Sequence, residues 1–268
     1  MTVRRLAACL LGLALLAGLP GAATGQDARG RKARPAYALA TPTPGIVDVY
    51  VLSLGLWGEQ RVFEREAKGA AQILESRLGE TGHAIVLFNT RTRMNVTDAS
   101  ARAAASAVGR VIDPGEDVAV LFLTSHGTPD GLAVTTRGRN VQLMPPTYVR
   151  GLLDEMRARL RVLIVSACYS GVFAKALADD DTLVITAAAA DKPSFGCEDR
   201  ATWTYFGDAF FNQALRRDAS LDAAFARARD LVTQRERREG FDPSNPQIAG
   251  GANVLRALAG RRGATSAR

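Results

Sequence analysis

The sequence predicts an α/β domain of three layers, with helices on both faces of a mainly parallel sheet. Three observations predict it. From Ile46 onward, short apolar runs alternate with amphipathic stretches, the rhythm of strands joined by crossover helices. Two of those runs, Val118-Ala119-Val120-Leu121-Phe122-Leu123 and Val162-Leu163-Ile164-Val165, end beside residues able to do covalent chemistry, His126 and Cys168. Finally, 268 residues that are 47% hydrophobic and 23% charged suffice for one packed core, which excludes a disordered, fibrous or multi-pass chain.

The chain opens with Arg4 and Arg5, an almost wholly apolar run from Leu6 to Leu19, then Pro20 and small residues through Ala22, Ala23 and Gly25. That is the order of a secretory signal peptide, expected at 1–25 with a cut before Gln26, and it predicts a periplasmic or secreted protein. An uncleaved anchor is the competing reading, but the run is shorter than the roughly 20 residues of a typical span. Residues 26–45, with Pro35, Pro42 and Pro44, read as a flexible lead-in to a domain at 46–259, and 260–268 as a tail.

Strands are expected at 46–53, 84–88, 117–124, 161–167 and 182–188. The first helix is expected at 60–78, where Phe63, Ala67, Ala70 and Leu74 recur at helical spacing and Glu64, Lys68 and Glu75 face solvent. A second helix follows at 99–111, and a third starts at Pro146 or Thr147 and runs to 160. Between His126 and that third helix, two short alternating runs around Arg137-Gly138-Arg139-Asn140 predict a β-hairpin beside the histidine. After Cys168 come a short helix at 172–178 and longer ones at 202–216 and 221–237, the last with Ser220 as N-cap. Asn245-Pro246-Gln247-Ile248 leads into a final short element.

The formal charge is +7, and loss of Arg4 and Arg5 with the leader lowers it to +5. Only four of the 34 basic residues are lysines. The basic residues are interleaved with acids and no aromatic stacking motif accompanies them, so nucleic acid is not an expected partner. No membrane span is expected after leader cleavage, and the oligomeric state is not legible.

If both motif-bearing strands are central in one parallel sheet, His126 and Cys168 emerge at the same carboxyl edge, where open α/β sheets bind ligands. A cysteine attacks a carbonyl as thiolate. Helical N–H groups after Cys168 favour that negative charge, and His126 can serve as base toward the thiol or acid toward a leaving amine. The N–H groups of Cys168 and Gly127 are candidates for an oxyanion hole, since glycine lets the backbone approach closely. His83, the other histidine, reads as a turn residue before a strand.

Rival cysteine chemistries lack their partners. A phosphatase loop needs an arginine six positions after its cysteine, and that position holds Ala174. There is no Cys-x-x-Cys, no metal-ligand spacing, and no lysine-bearing phosphate loop in Leu54-Gly55-Leu56-Trp57-Gly58, so no cofactor is expected. Cys9 departs with the leader, leaving Cys168 and Cys197. In an oxidising compartment two cysteines suggest a disulfide, a reading directly opposed to Cys168 as nucleophile.

His126-Gly127 after one hydrophobic strand and Ala167-Cys168-Tyr169-Ser170-Gly171 after the next resemble the C13 peptidases, the group of legumain and the glycosylphosphatidylinositol transamidase subunit. The similarity runs from about Ile46 to Ile248 and is greatest to bacterial exported members. The resemblance implies a caspase-like α/β/α sandwich, a Cys-His dyad cleaving peptide bonds through a thioester, a peptide or protein substrate, and no cofactor.

It also implies a substrate pocket with an arginine on the first crossover and two acids. Arg61 lies near the expected arginine, and Thr204-Tyr205-Phe206-Gly207-Asp208 resembles the segment supplying one acid, so Asp208 is a candidate. The other acid, two residues before the nucleophile, is replaced by Ser166, which argues against asparagine specificity. Arg61 and Asp208 as ordinary surface residues remain the alternative. Pro193-Ser194-Phe195-Gly196-Cys197 follows the fifth strand, which predicts a reduced Cys197 lining the cleft. The same dyad would serve a transpeptidase, because an amine captures a thioester as water does; a non-catalytic envelope binding module on this fold is the third reading.

Overall fold

A computed structural model describes residues 37–79, 81–136, 140–218 and 220–266. The expected leader, the start of the lead-in and the turn at 137–139 lie outside the described residues.

The main sheet has six strands in the order β2-β1-β3-β7-β8-β9. β1 (Val49–Gly55), β2 (Ala84–Phe88), β3 (Val118–Thr124), β7 (Leu160–Ser166) and β8 (Thr182–Thr186) run parallel, each within a few residues of its expected position. Their apolar runs are continuous because helices cover both faces of the sheet. α2 (Asp98–Val111), α3 (Pro146–Glu155) and α4 (Gly171–Leu177) pack on one face against Leu52, Leu54, Leu121, Leu123, Leu163 and Val165. α1 (Arg61–Leu78), α6 (Leu221–Glu239) and α7 (Ala252–Ser266) cover the other, over Val49, Val51, Val120, Phe122, Val162 and Ile164. Every residue of β1 and β3 is buried. At roughly 1.5–3 kcal/mol for each large apolar side chain withdrawn from water, the central strands are a rigid mount for whatever their ends carry.

Several expectations need correction. The final strand, β9 (Gln247–Gly250), pairs antiparallel to β8 and closes the sheet edge; the sequence marked it only as a short element. α3 stops at Glu155 instead of running to 160, because Arg157 takes a left-handed φ of 62° and Leu160 already begins β7. The expected helix at 202–216 is one turn, α5 (Tyr205–Gly207), passing directly into a π-helical run, Asp208–Leu215. The hairpin of β5 (Gly131–Thr135) and β6 (Val141–Met144) gains a third strand, β4 (Gly127–Thr128), immediately after the histidine. α7 carries helical structure through most of the expected tail.

Residues 37–45 are tied down and not a free lead-in. Ala40 N–H bonds the Gly82 carbonyl at 2.9 Å, the Tyr50 hydroxyl donates to the Ala40 carbonyl at 3.0 Å, and Tyr37 and Leu39 pack on the core. No described helix is long and apolar enough to cross a membrane.

Candidate active site

β3 and β7 pair in register from Val118↔Leu160 to Thr124↔Ser166. His126 and Cys168 each lie two residues beyond that last pair, so equal offsets deliver them to the same edge of adjacent strands. One further bond, from Ser125 N–H to the Ser166 carbonyl at 3.2 Å, extends the ladder before the chains part. The histidine chain then enters β4, while the cysteine chain makes a turn with Tyr169 at φ 56°. A bulky residue in the left-handed region costs on the order of 1–3 kcal/mol, which the surroundings must offset. Here the Tyr169 N–H is held by the Lys192 carbonyl at 2.8 Å.

His126 is half-buried, with Trp57 and Phe63 against it edge-on at centroid distances of 5.2 and 5.1 Å. Its Nε2 makes a short hydrogen bond to Gln60 Oε1, and Gln60 Nε2 donates to the Cys197 carbonyl at 2.5 Å. A carbonyl only accepts, so the Cys197 contact fixes which end of the amide is nitrogen. The amide oxygen therefore faces the ring, Nε2 carries the proton, and Nδ1 keeps its lone pair. Burial holds the imidazole below its ordinary value of 6.5, so at neutral pH it is a neutral base. Gln60, immediately before α1, was not singled out in the sequence: an amide carries no titratable chemistry, and nothing in the chain marks a residue 66 positions away as the histidine's partner.

Cys168 is half-buried, and Ser194 surrounds its sulfur. Ser194 N–H donates to Sγ at 3.3 Å, Ser194 Oγ lies 3.8 Å away, and the thiol reaches the Ser194 carbonyl at 3.4 Å. α4 begins three residues after Cys168 and spans seven residues, so backbone donation to the sulfur comes from the Ser194 loop and not from the expected helix start. Cys197, three residues further along that loop, is free, as is Cys168. Burial pushes the Cys197 thiol up to about 12, with the neighbouring Cys168 and Glu66 as lesser causes.

The other expected site residues are distributed differently. Ser166 is buried, its hydroxyl 3.3 Å from Glu66 Oε1 and 3.0 Å from Thr204 Oγ1. Arg61 opens α1 with an exposed side chain, and its N–H is bonded by Asp199 Oδ1 at 2.9 Å. Asp208 accepts from Asn212 Nδ2 and Gln213 Nε2, both at 2.8 Å, and lines a cavity of about 380 Å³ with Tyr205, Arg235, Arg238 and Glu239. Neither His126 nor Cys168 lines that cavity. His83 stands before β2 as expected but is buried, its ring stacked on Tyr50 at 4.3 Å.

The family model of the Peptidase C13 family matches residues 87–251, more than half of the chain and including both His126 and Cys168. No curated protein matches the chain. The sheet of mainly parallel strands between two helical layers is the caspase-like arrangement of that family. By that match the chain belongs to the Peptidase C13 family, a family of cysteine peptidases that includes some transamidases.

Proposed function

We propose that the protein is a cysteine endopeptidase that hydrolyses peptide bonds through a thioester. Cys168 is the nucleophile and His126 the general acid and base. The observation that carries this reading is the register of β3 and β7, which sets a thiol and a half-buried neutral imidazole at equal offsets past one sheet edge.

Nδ1 of His126 takes the Cys168 proton, and Gln60 holds the opposite nitrogen as a donor so that the ring keeps this orientation. The thiolate attacks the scissile carbonyl, and the developing oxyanion takes the N–H groups of Cys168 and Gly127. Among the described residues the Cys168 N–H has no hydrogen-bond partner, which leaves it available for that role. The proton then passes from Nδ1 to the leaving amine. Water, deprotonated by the same nitrogen, hydrolyses the thioester and regenerates the thiol.

The substrate is a peptide or protein. The order of charges, apolar run and small residues in 1–25 supports export to the periplasm or beyond, and N-terminal sequencing of the mature protein beginning at or near Gln26 is the expected result. Turnover of a fluorogenic peptide library by wild type but not by Cys168→Ala tests the activity; equal turnover by both would overturn it.

A further inference from the structure

Glu66 lies on the apolar face of α1 and is completely buried, with no ion pair among the described residues. Four donors converge on its carboxyl. The Thr124 hydroxyl makes a short bond to Oε2; Thr204 Oγ1 at 2.6 Å, Thr204 N–H at 3.3 Å and Ser166 Oγ at 3.3 Å reach Oε1. Gly207 roofs the group so closely that a Cβ there would overlap Oε1. Sealed in this way, the carboxyl does not touch substrate.

The donors come from three segments that each deliver part of the candidate site. Thr124 ends β3, two residues before His126. Ser166 ends β7, two residues before Cys168. Thr204 closes the loop that carries Ser194 and Cys197, and its hydroxyl also accepts the Gly207 N–H at 2.9 Å. Sheet bonding stops one step past Thr124↔Ser166, so this carboxyl ties the two strand ends through their side chains just where the ladder runs out.

An ionised carboxylate has acceptor sites for four donors and no proton of its own, which matches what surrounds Glu66. Protonated, it becomes a donor at one oxygen, so one of the three hydroxyls must turn to accept and send its own proton to another acceptor, which rearranges the cluster. We propose that Glu66 is a positioning residue for the dyad, whose charge state decides whether β3, β7 and the Thr204 turn hold His126 and Cys168 in one arrangement. The assignment rests on the peptidase reading for what the dyad does, not for the coupling itself.

The charge state changes in a useful range: burial pushes the carboxyl up to about 7 against the pull of its hydrogen bonds. The titratable groups on the surrounding segments include the Glu64–Lys68 pair on α1 and Asp199, which accepts from the Arg61 N–H. Cys197 senses the charge directly but does not ionise near neutrality. Arg65 on α1 donates to the Asp199 and Ala201 carbonyls, Asp208 is bonded to Asn212 and Gln213, and the Tyr205 hydroxyl bonds Glu239. On β1, the nearby Ser53 hydroxyl is engaged with the Ala67 carbonyl at 2.8 Å. His126 and Cys168 themselves stand just beyond Thr124 and Ser166.

The test follows two readouts against pH, peptide turnover and alkylation of Cys168 by iodoacetamide, in wild type, Glu66→Gln, Glu66→Asp and Thr124→Val. In wild type both readouts carry an inflection near pH 7. Glu66→Gln removes that inflection from both and lowers kcat at pH 8 by roughly ten- to hundredfold with little change in KM, the scale of a misplaced reacting group. Glu66→Asp retains an inflection, and Thr124→Val, which deletes a donor to the ionised form, moves it upward. Profiles of Glu66→Gln superimposable on wild type overturn the assignment; if that variant fails to fold, an unshifted Thr124→Val profile overturns it. Absence of turnover in every variant, with the alkylation inflection intact in wild type and lost in Glu66→Gln, rejects the peptidase reading and keeps the positioning role.

Discussion

Gly127 lies against the carbonyl oxygen of Cys168 so closely that a Cβ at position 127 would overlap it, with Ala167 Cβ 3.2 Å away as well. The histidine strand and the cysteine turn are thus interlocked through backbone at the point where both leave the sheet. Glycine is required here by space, not by a left-handed φ.

Gly127→Ala therefore forces the two segments apart. The expected outcome is a stability loss of about 1–3 kcal/mol, the usual cost of overpacking, and loss of turnover out of proportion to it. Urea unfolding together with turnover under fully folded conditions separates the two effects.

Gln60 holds the proton-bearing nitrogen of His126, so Gln60→Ala is expected to lower kcat by about tenfold, the worth of one hydrogen bond near 1.5 kcal/mol, with KM little changed. Gln60→Glu places a carboxylate on that nitrogen and favours imidazolium. The imidazole titration, held below 6.5 by burial in wild type, is expected to move upward in that variant. Histidine NMR titration reads this directly.

Stability should report Glu66. Its folded value is raised from 4.5 to about 7, so the folded state binds the proton more tightly than the unfolded chain. The stabilisation from that proton is full below pH 4.5 and is lost as pH rises through 7, a change of about 3 kcal/mol. His126, with a depressed value, acts in the opposite sense: its contribution is present above 6.5 and is lost as pH falls. Subtracting the stability curve of Glu66→Gln from that of wild type cancels the histidine. The difference is expected to fall between pH 4.5 and 8; a flat difference would contradict the burial account.

The two thiols should be distinguishable by reactivity. With Cys197 pushed up to about 12, iodoacetamide at pH 8 is expected to modify Cys168 and leave Cys197 unmodified, as read by peptide mass spectrometry. A Cys168–Cys197 disulfide in active protein would contradict the assignment of Cys168 as nucleophile.

Much of the scaffold was legible because buried parallel strands write themselves as near-continuous apolar runs, and β1, β3, β7 and β8 all do. β9 did not, since Gln247-Ile248-Ala249-Gly250 offers neither an apolar run nor alternation. The end of α3 was misplaced because Arg157, which takes the left-handed φ there, is not a residue that announces a helix stop. His126 and Cys168 are legible as candidates from chemistry at strand ends. The groups that hydrogen-bond them are not. Gln60 and Ser194 act through an amide and a backbone N–H, to which composition and periodicity are blind. Glu66 did leave a signal: it falls three residues after Phe63 and four before Ala70, a charged residue on the apolar stripe of α1. Ser166, where the resemblance implies a pocket acid, instead contributes a hydroxyl to the buried Glu66 carboxyl.

The most direct measurement is labelling by a peptidyl acyloxymethylketone, which requires a nucleophilic thiol and an enzyme that recognises a peptide. The account predicts covalent modification of wild type at Cys168, sharply reduced labelling of His126→Ala, and none of Cys168→Ala. Labelling of Cys168→Ala equal to wild type, or none of folded wild type across a library of such probes, would contradict it.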